Sequence, residues 1–173
     1  MALVGRDAEL AAVADAAAAG RAGDVTRLAV VGDAGLGKTA LLAAAREACE
    51  DAGLTVLSGR AAEHERDVPF GLVADALDAA AAAIGSRRLE SLGETRVTDL
   101  AAALPSIAAV TPPASMAERY RTHRALSALL ELLGGQQPLA LILDDLHWAD
   151  AASLELVAHL LRRPPAVAHV LVL

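Results

Sequence analysis

A glycine-rich octapeptide, residues 32–39, restricts the backbone of this 173-residue chain more tightly than any other segment. It reads G-D-A-G-L-G-K-T and fits the pattern G-x-x-x-x-G-K-[ST] in full. An apolar run, residues 28–31, precedes it, and a helix-forming segment, residues 40–51, follows. A buried strand, a tight glycine turn and a helix in this order are typical of a parallel α/β unit that holds phosphate at the amino end of the helix.

Each residue type in this loop has a role in phosphate binding. Glycines let successive backbone N–H groups point inward at phosphate oxygens, and the helix that follows directs its positive end to the same place. Lys38, the only lysine in the chain, would place a slim ammonium group on the β- and γ-phosphates of ATP. Thr39 would offer its hydroxyl to Mg²⁺. The predicted nucleotide contacts in the loop are Gly32, Asp33, Ala34, Gly35, Leu36, Gly37, Lys38, Thr39 and Ala40.

A second motif lies about 100 residues downstream, where the apolar run 139–143 ends in two adjacent acids. This is a Walker B arrangement, which gains weight from the upstream loop. Asp144 is predicted to hold Mg²⁺ together with Thr39, directly or through water. Asp145 is predicted to orient or deprotonate the attacking water, so Asp145 and Lys38 are the predicted catalytic residues.

The composition favours helices packed on an aliphatic parallel sheet, because 55% of residues are hydrophobic but only 2% are aromatic. Apolar runs at 28–31, 54–58, 139–143 and 167–173 predict four strands that alternate with helices. We therefore expect a three-layer α/β/α P-loop NTPase fold with a mainly parallel sheet. We also expect residues 1–173 to form one ATP-binding domain that is truncated before its last strand.

Several helix boundaries can be read from local signals. Asp7 is the expected N-cap of a helix over 8–19, and further helices are expected over 68–84, 97–104 and 151–163. Ser115 and Glu118 have the spacing of a capping box, which predicts a helix that starts after Ser115 and ends at Gly134 and Gly135.

Charge and cysteine content exclude several classes of function. The net charge of −7 and the absence of a basic stripe argue against direct nucleic acid contact by this segment. Cys49 is the only cysteine, so no internal disulfide is possible. The amino terminus lacks a secretory pattern and no apolar stretch reaches 18 residues, so we expect no membrane span and a cytoplasmic protein.

Three segments together resemble a known protein family. Residues 3–10, residues 31–39 and residues 143–150, which read L-D-D-L-H-W-A-D, are similar to the N-terminal ATPase module of STAND proteins. Within that class the chain most resembles the large ATP-binding LuxR-type transcriptional regulators, and the stretch from Gly59 to Gly71 is similar as well.

The resemblance implies ligands, partners and two more site residues. Val4 and Arg6 would lie near the adenine and the ribose, with ATP, ADP and Mg²⁺ as the ligands. Nucleotide state in the family is coupled to inducer sensing and self-association, so further domains or a second copy are the implied partners. The family's γ-phosphate-sensing arginine, helical lid, repeats and helix-turn-helix have no counterpart in this sequence. His147, Trp148 and Asp150 match the family string without an evident chemical role, and packing is expected for Trp148.

Two other functions stay open at this stage. The chain could be an ATPase module attached to a nucleotide cyclase or a protein kinase, or an interaction module that binds nucleotide without hydrolysis. Three arginines on the helix that follows Ser115 either form its solvated face or provide an arginine finger: Arg119, Arg121 and Arg124.

Overall fold

The computed structural model describes residues 5–33, 35–108, 115–167 and 169–173. Within these ranges there are four strands: β1 (Val25–Leu28), β2 (Thr55–Arg60), β3 (Leu139–Asp144) and β4 (His169–Val172). All neighbouring pairs are parallel, and the order across the sheet is β1-β4-β3-β2. β3 and β4 are the central strands, and their aliphatic residues are buried on both faces of the sheet, as expected for a sheet covered by helices.

Helices cover both faces of the sheet. They are α1 (Asp7–Ala22), α2 (Lys38–Asp51), α3 (Gly71–Ile84), α4 (Ser86–Glu90), α5 (Glu94–Leu100), α6 (Met116–Gly134) and α7 (Ala151–Arg162). Helices α1 and α2 pack on one face in a hydrophobic cluster with Ile142 and Val170, whereas α3, α6 and α7 pack on the other face with Leu141 and Leu171. This arrangement confirms the predicted three-layer α/β/α fold with a parallel sheet.

The first strand differs from its prediction. The apolar run 28–31 was expected to be a buried strand, but β1 begins at Val25, ends at Leu28 and lies at an edge of the described sheet. Residues Val25 to Leu28 pair with β4, and beyond them Val30 N donates to the backbone oxygen of Leu173 at 2.8 Å. Val31 is 93% exposed, and the segment from residue 29 onward becomes the approach to the glycine-rich loop.

Local capping signals set several helix boundaries. Ser115 and Glu118 form the predicted capping box, with bonds of 3.2 Å from Glu118 N to Ser115 Oγ and 3.0 Å from Ser115 N to Glu118 Oε2. Asp7, by contrast, is the first residue of α1 rather than its N-cap, which is Arg6. Helix α3 starts three residues later than predicted because Phe70 takes a left-handed conformation with φ of 62°.

The predicted helix over 97–104 is shifted toward the amino end. Helix α5 runs from Glu94 to Leu100, and turns follow it as far as residue 107. Gly93, with φ of 89°, precedes its first turn and Glu94 places an acid at the positive end of the helix. None of the helices in the described ranges has both the length and the apolarity needed to cross a bilayer.

Candidate nucleotide-binding site

A cavity of about 380 Å³ opens at the carboxyl edge of the sheet, between the ends of β1 and β3 and the start of α2. The carboxyl edge of a parallel sheet is the usual place for a ligand in α/β folds. The residues that line this cavity come from both sequence motifs and from the end of β4: Ala29, Val30, Val31, Gly32, Lys38, Leu42, Asp144, Asp145, Leu146, His147 and Leu173. The fold therefore brings the glycine-rich loop and the acid pair to one site.

The glycine-rich loop depends on two glycines in the left-handed region. Gly35 has φ of 81° and Gly37 has φ of 77°, conformations that L side chains rarely adopt. Gly37 is also the N-cap residue of α2, so the turn leads directly into the helix. The first N–H groups of α2 have no partner within the helix, and they face the loop where a phosphate would lie.

Lys38 is folded back onto the loop. Its Nζ donates hydrogen bonds to the backbone oxygens of Gly32, at 2.8 Å, and Asp33, at 2.9 Å. Both acceptors are neutral carbonyls, and a charged phosphate oxygen is a stronger acceptor for an ammonium group. The lysine therefore lies in the cavity with contacts that a polyphosphate could replace.

Thr39 and Asp144, the two predicted Mg²⁺ ligands, lie in hydrogen-bond contact. The Thr39 hydroxyl donates to Asp144 Oδ2 at 3.3 Å, while Asp144 Oδ1 accepts from the N–H of Asp145 at 2.8 Å. Hydroxyl and carboxylate oxygens suit Mg²⁺, which usually keeps several waters and binds substrate phosphates. In the part of the chain that the structure describes, no three His, Cys, Asp or Glu residues cluster as a metal cage. The donors present fit a cation that shares its coordination with water and phosphate.

Asp145 is held in an unusual conformation by a residue that the sequence motifs did not identify. Its φ is 53°, one of two positive values among the described non-glycine residues. Arg60, at the end of β2, donates to Asp145 Oδ2 from Nε at 2.8 Å and approaches it with Nη2 at 2.7 Å. The hydrogen bond to Asp145 and the charges of Asp145 and Asp144 raise the pKa of Arg60. The β2–β3 register explains the contact, since Arg60 pairs with Asp144.

Arg6 contacts the loop from the side. Its Nη2 donates to the backbone oxygen of Leu36 at 2.5 Å, and its Nη1 binds Glu9 Oε1 at 2.8 Å. The guanidinium group thus ties the start of α1 to the glycine-rich loop, and Arg6 does not line the cavity. Contact of Arg6 with a ribose or an adenine stays a prediction. Two predicted contacts, Val4 and Ala34, lie outside the described residues.

The other loop residues take backbone or surface positions. The backbone carbonyl of Asp33 accepts a hydrogen bond from Lys38 Nζ, Leu36 is exposed, and Ala40 follows Thr39 in the first turn of α2. Their contacts with nucleotide, which would be made through the backbone, stay a prediction.

The residues after the acid pair have structural roles that the sequence did not reveal. Asp150 is buried, caps α7 by accepting from Ser153 N at 2.9 Å, and accepts from Phe70 N at 2.9 Å. Trp148 packs against the hydrophobic cluster of the α3 face, as expected. His147 is exposed and contacts Trp148 with ring centroids 4.9 Å apart and ring planes at 46°. Its Nδ1 lies 3.9 Å from Asp145 Oδ1.

The three arginines of α6 do not join this site. Arg119 pairs with Glu155 of α7 at 3.2 Å, Arg121 pairs with Asp99 at 3.4 Å, and none of the three lines the cavity. Helix α6 packs on the face of the sheet opposite to α2. Within this chain, an arginine finger from α6 to its own nucleotide site is therefore excluded.

Comparison with known families agrees with this geometry. The sequence profile of the family described as "AAA ATPase domain" matches residues 2–173, which is nearly the whole chain. The chain belongs to the AAA ATPase domain family. Membership supports ATP binding by a P-loop NTPase fold, and the cavity at the carboxyl edge of the sheet is the candidate site of this AAA ATPase domain. No significant match was found among curated proteins or among solved structures.

Proposed function

We propose that this AAA ATPase domain binds ATP with Mg²⁺ and hydrolyses it slowly, as the nucleotide switch of a signalling or transcriptional regulator. The observation that supports this function best is the single cavity lined by Lys38, Asp144 and Asp145. Lys38 supplies a positive charge, Asp144 is a candidate metal ligand, and Asp145 is a candidate base. Phosphoryl transfer requires these three kinds of group beside one phosphate-binding loop.

Binding would exchange contacts that the loop now makes with itself. The Lys38 ammonium leaves the carbonyls of Gly32 and Asp33 for the β- and γ-phosphate oxygens, a charge-assisted bond in place of neutral ones. The N–H groups at the start of α2 bind the same phosphates and add the positive end of the helix dipole.

Mg²⁺ would be held by Thr39 and Asp144, the two residues that already share a hydrogen bond. When bound, the ion neutralises phosphate charge and polarises the transferred group. Asp144 has only 14% of its side chain exposed, so its carboxylate is positioned by the fold rather than by solvent. Its bond to the N–H of Asp145 keeps the second acid beside the first.

Asp145 would orient the attacking water and accept its proton. In the structure its carboxylate is bound by Arg60, and an acid that is paired with a guanidinium is a weaker base than a free one. Turnover therefore requires that Arg60 release or reposition Asp145, which fits a slow switch rather than a fast enzyme.

The regulatory role depends on the resemblance of residues 3–10 and 143–150 to LuxR-type STAND regulators. Under this proposal, residues 1–173 act as one cytoplasmic domain whose nucleotide state is transmitted to further domains or to a second copy. Two groups in the site, Lys38 and Arg60, have contacts that a nucleotide would change, and a switch needs contacts that differ between its states.

The Arg60–Asp145 ion pair also supports a second candidate, a module that binds nucleotide without hydrolysing it. If the pair persists when ATP is bound, the candidate base never reaches a water molecule. Binding and hydrolysis must therefore be measured separately.

The test combines titration calorimetry for ATP and ADP with a phosphate-release assay. We expect the parent chain to bind both nucleotides and to release phosphate, and Asp145→Asn to keep ATP affinity while turnover falls by about 10²-fold or more. Asp51→Asn, an exposed acid at the end of α2, is the matched control and should behave as the parent. Equal rates for Asp145→Asn and the parent would remove Asp145 from its role. ATP binding without phosphate release from the parent would favour the second candidate.

A further inference from the structure

A second concave surface lies between α6 and α7, on the face of the sheet opposite to α2. It consists of two adjoining cavities of about 560 Å³ and 430 Å³ that share Tyr120, His159 and Arg163. We call it the α6–α7 groove. It has no lining residue in common with the nucleotide cavity.

The α6–α7 groove is basic in a chain whose net charge is −7. Its charged lining comprises five arginines and two glutamates, an excess of three positive charges: Arg96, Arg119, Arg124, Arg162, Arg163, Glu131 and Glu155. Positive charge collected in a concave surface of an acidic protein attracts anions to that surface.

Much of this positive charge has no counterion. Arg124 and Arg162 make no hydrogen bond or ion pair with any residue that the structure describes. Among the described residues, the guanidinium group of Arg163 donates only to the neutral hydroxyl of Tyr120, at 3.0 Å. Burial, followed by the charges of Arg163, Arg162 and Arg124, lowers the pKa of His159.

A buried histidine forms part of the groove wall. His123 is only 6% exposed, lines the larger cavity, and packs against the rings of Phe70 and His159. Its Nε2 has no hydrogen-bond partner among the described residues, but this atom has almost no accessible surface. The His123 ring therefore shapes the groove, and the arginines supply the groups that can bind a ligand.

We propose that the α6–α7 groove binds a small organic anion that carries phosphate or carboxylate groups with at least two negative charges. Arg124, Arg162 and Arg163 provide guanidinium groups, which can bind such oxygens with two parallel hydrogen bonds. The concave shape and the histidine in its wall suit a small molecule better than a flat macromolecular partner.

A ligand in the α6–α7 groove would share no contact residue with a nucleotide in the other cavity. Helix α7 begins at Ala151, and its N-cap Asp150, five residues after Asp145, also accepts a hydrogen bond from Phe70 N. His123 contacts the ring of the same Phe70. An anion in the groove would therefore bind to elements that are anchored next to the acid pair. The proposal does not require that ATP is bound or hydrolysed.

The test follows the ring signals of the five histidines by NMR while pyrophosphate or citrate is added at constant ionic strength. The Lys38→Ala variant of the whole chain is the starting protein, so that the P-loop does not capture the probe. We expect saturable shifts of His123 and His159 at millimolar probe or below, and no matching shifts of His64 and His169. The pyrophosphate and citrate arms distinguish phosphate from carboxylate ligands.

A pair of substitutions checks the role of the arginines. Arg124→Gln combined with Arg162→Gln should weaken the binding of the probe by at least tenfold, whereas Arg87→Gln, an exposed arginine of α4, should leave it unchanged. The proposal is overturned if neither anion gives saturable shifts, if all five histidines shift alike, or if the double variant binds as its parent does. Binding of only an acidic peptide, with neither small anion, would also overturn it.

Discussion

At the scale of single residues, the ion pair between Arg60 and Asp145 is the contact most open to experiment. A non-glycine residue at φ of 53° is uncommon and carries a conformational cost, which the bonds to Asp144 and Arg60 offset. Arg60 is 64% exposed, so its substitution leaves no cavity in the core. The pair can therefore be removed without disturbing the packing of the core.

We predict that Arg60→Gln raises the rate of phosphate release several-fold, because the carboxylate of Asp145 is then free to accept a proton from water. The measurement is steady-state phosphate release at saturating ATP. Arg46→Gln is the control, since Arg46 is another exposed arginine, on α2, that contacts Glu50. A lower rate for Arg60→Gln would show instead that Arg60 holds Asp145 in its productive position.

The sequence predicts the site unevenly at this scale. Lys38, Thr39, Asp144 and Asp145 follow from two local motifs, because each motif fixes its own short stretch of backbone. Arg60 could not be assigned by pattern, because its contact depends on the register of two strands that lie some 85 residues apart. A basic residue at the end of the strand beside Walker B is the only signal in the sequence, and it is weak.

At the scale of elements, β2 and α3 approach each other at Gly59. A Cβ at this position would lie 2.7 Å from the backbone oxygen of Leu72 and 2.9 Å from Cβ of Ala76. Backbone cannot move aside as a flexible side chain can. Gly59 therefore sets the distance of α3 from the end of β2, where Arg60 begins to face the acid pair.

We predict that Gly59→Ala lowers the free energy of unfolding by about 1–3 kcal/mol, the usual cost of overpacking a well-packed contact. Chemical denaturation monitored by circular dichroism measures it. Gly135→Ala is the matched control, because a Cβ there meets its nearest atom at 3.5 Å and the backbone is in an ordinary helical conformation. Equal stability of Gly59→Ala and the parent would show that α3 can shift without cost.

His123 on α6 and His159 on α7 should make the stability of the fold depend on pH. Burial, followed by the charge of His159, lowers the pKa of His123, and burial followed by three arginines lowers that of His159. The unfolded chain binds protons near the ordinary value of 6.5, while the folded chain binds them only at lower pH. Linkage then requires that these histidines cost stability as the pH falls below about 6.5 and cost none above it.

Denaturation of the parent and of His159→Gln between pH 5 and 8 tests this linkage. We expect the difference in unfolding free energy between the two proteins to be constant in the upper part of this range and to shift in favour of His159→Gln below about pH 6.5. His64→Gln is the control, since His64 is largely exposed. A difference that is independent of pH throughout would contradict the lowered pKa of His159.

Element boundaries show where sequence patterns succeed. The helix after Ser115 was predicted to the residue at its start, because a capping box is a local hydrogen-bond arrangement. The first strand was misplaced because the run 28–31 has the composition of a buried strand, whereas the residues that pair with β4 are Val25 to Leu28. Local signals predict local structure, and pairing partners decide the rest.

At the scale of the whole molecule, the fold separates two surfaces. The nucleotide cavity lies at the carboxyl edge of the sheet near α2, and the α6–α7 groove lies on the opposite helical layer. The alternation of strands and helices predicts three layers, but the strand order β1-β4-β3-β2 depends on crossovers that the sequence does not display. That order places the two motifs together and leaves β1 at an edge of the described sheet.

The proposed function depends on Lys38 as the group that binds the polyphosphate of ATP. Titration calorimetry with MgATP on the parent and on Lys38→Ala measures this most directly, with Arg46→Ala as a control that removes a positive charge elsewhere on α2. We predict that the affinity of Lys38→Ala for MgATP falls by at least about 10²-fold, because a charge-assisted contact with the phosphates is lost. Its unfolding midpoint should stay close to that of the parent. Unchanged affinity of Lys38→Ala for ATP would contradict the account.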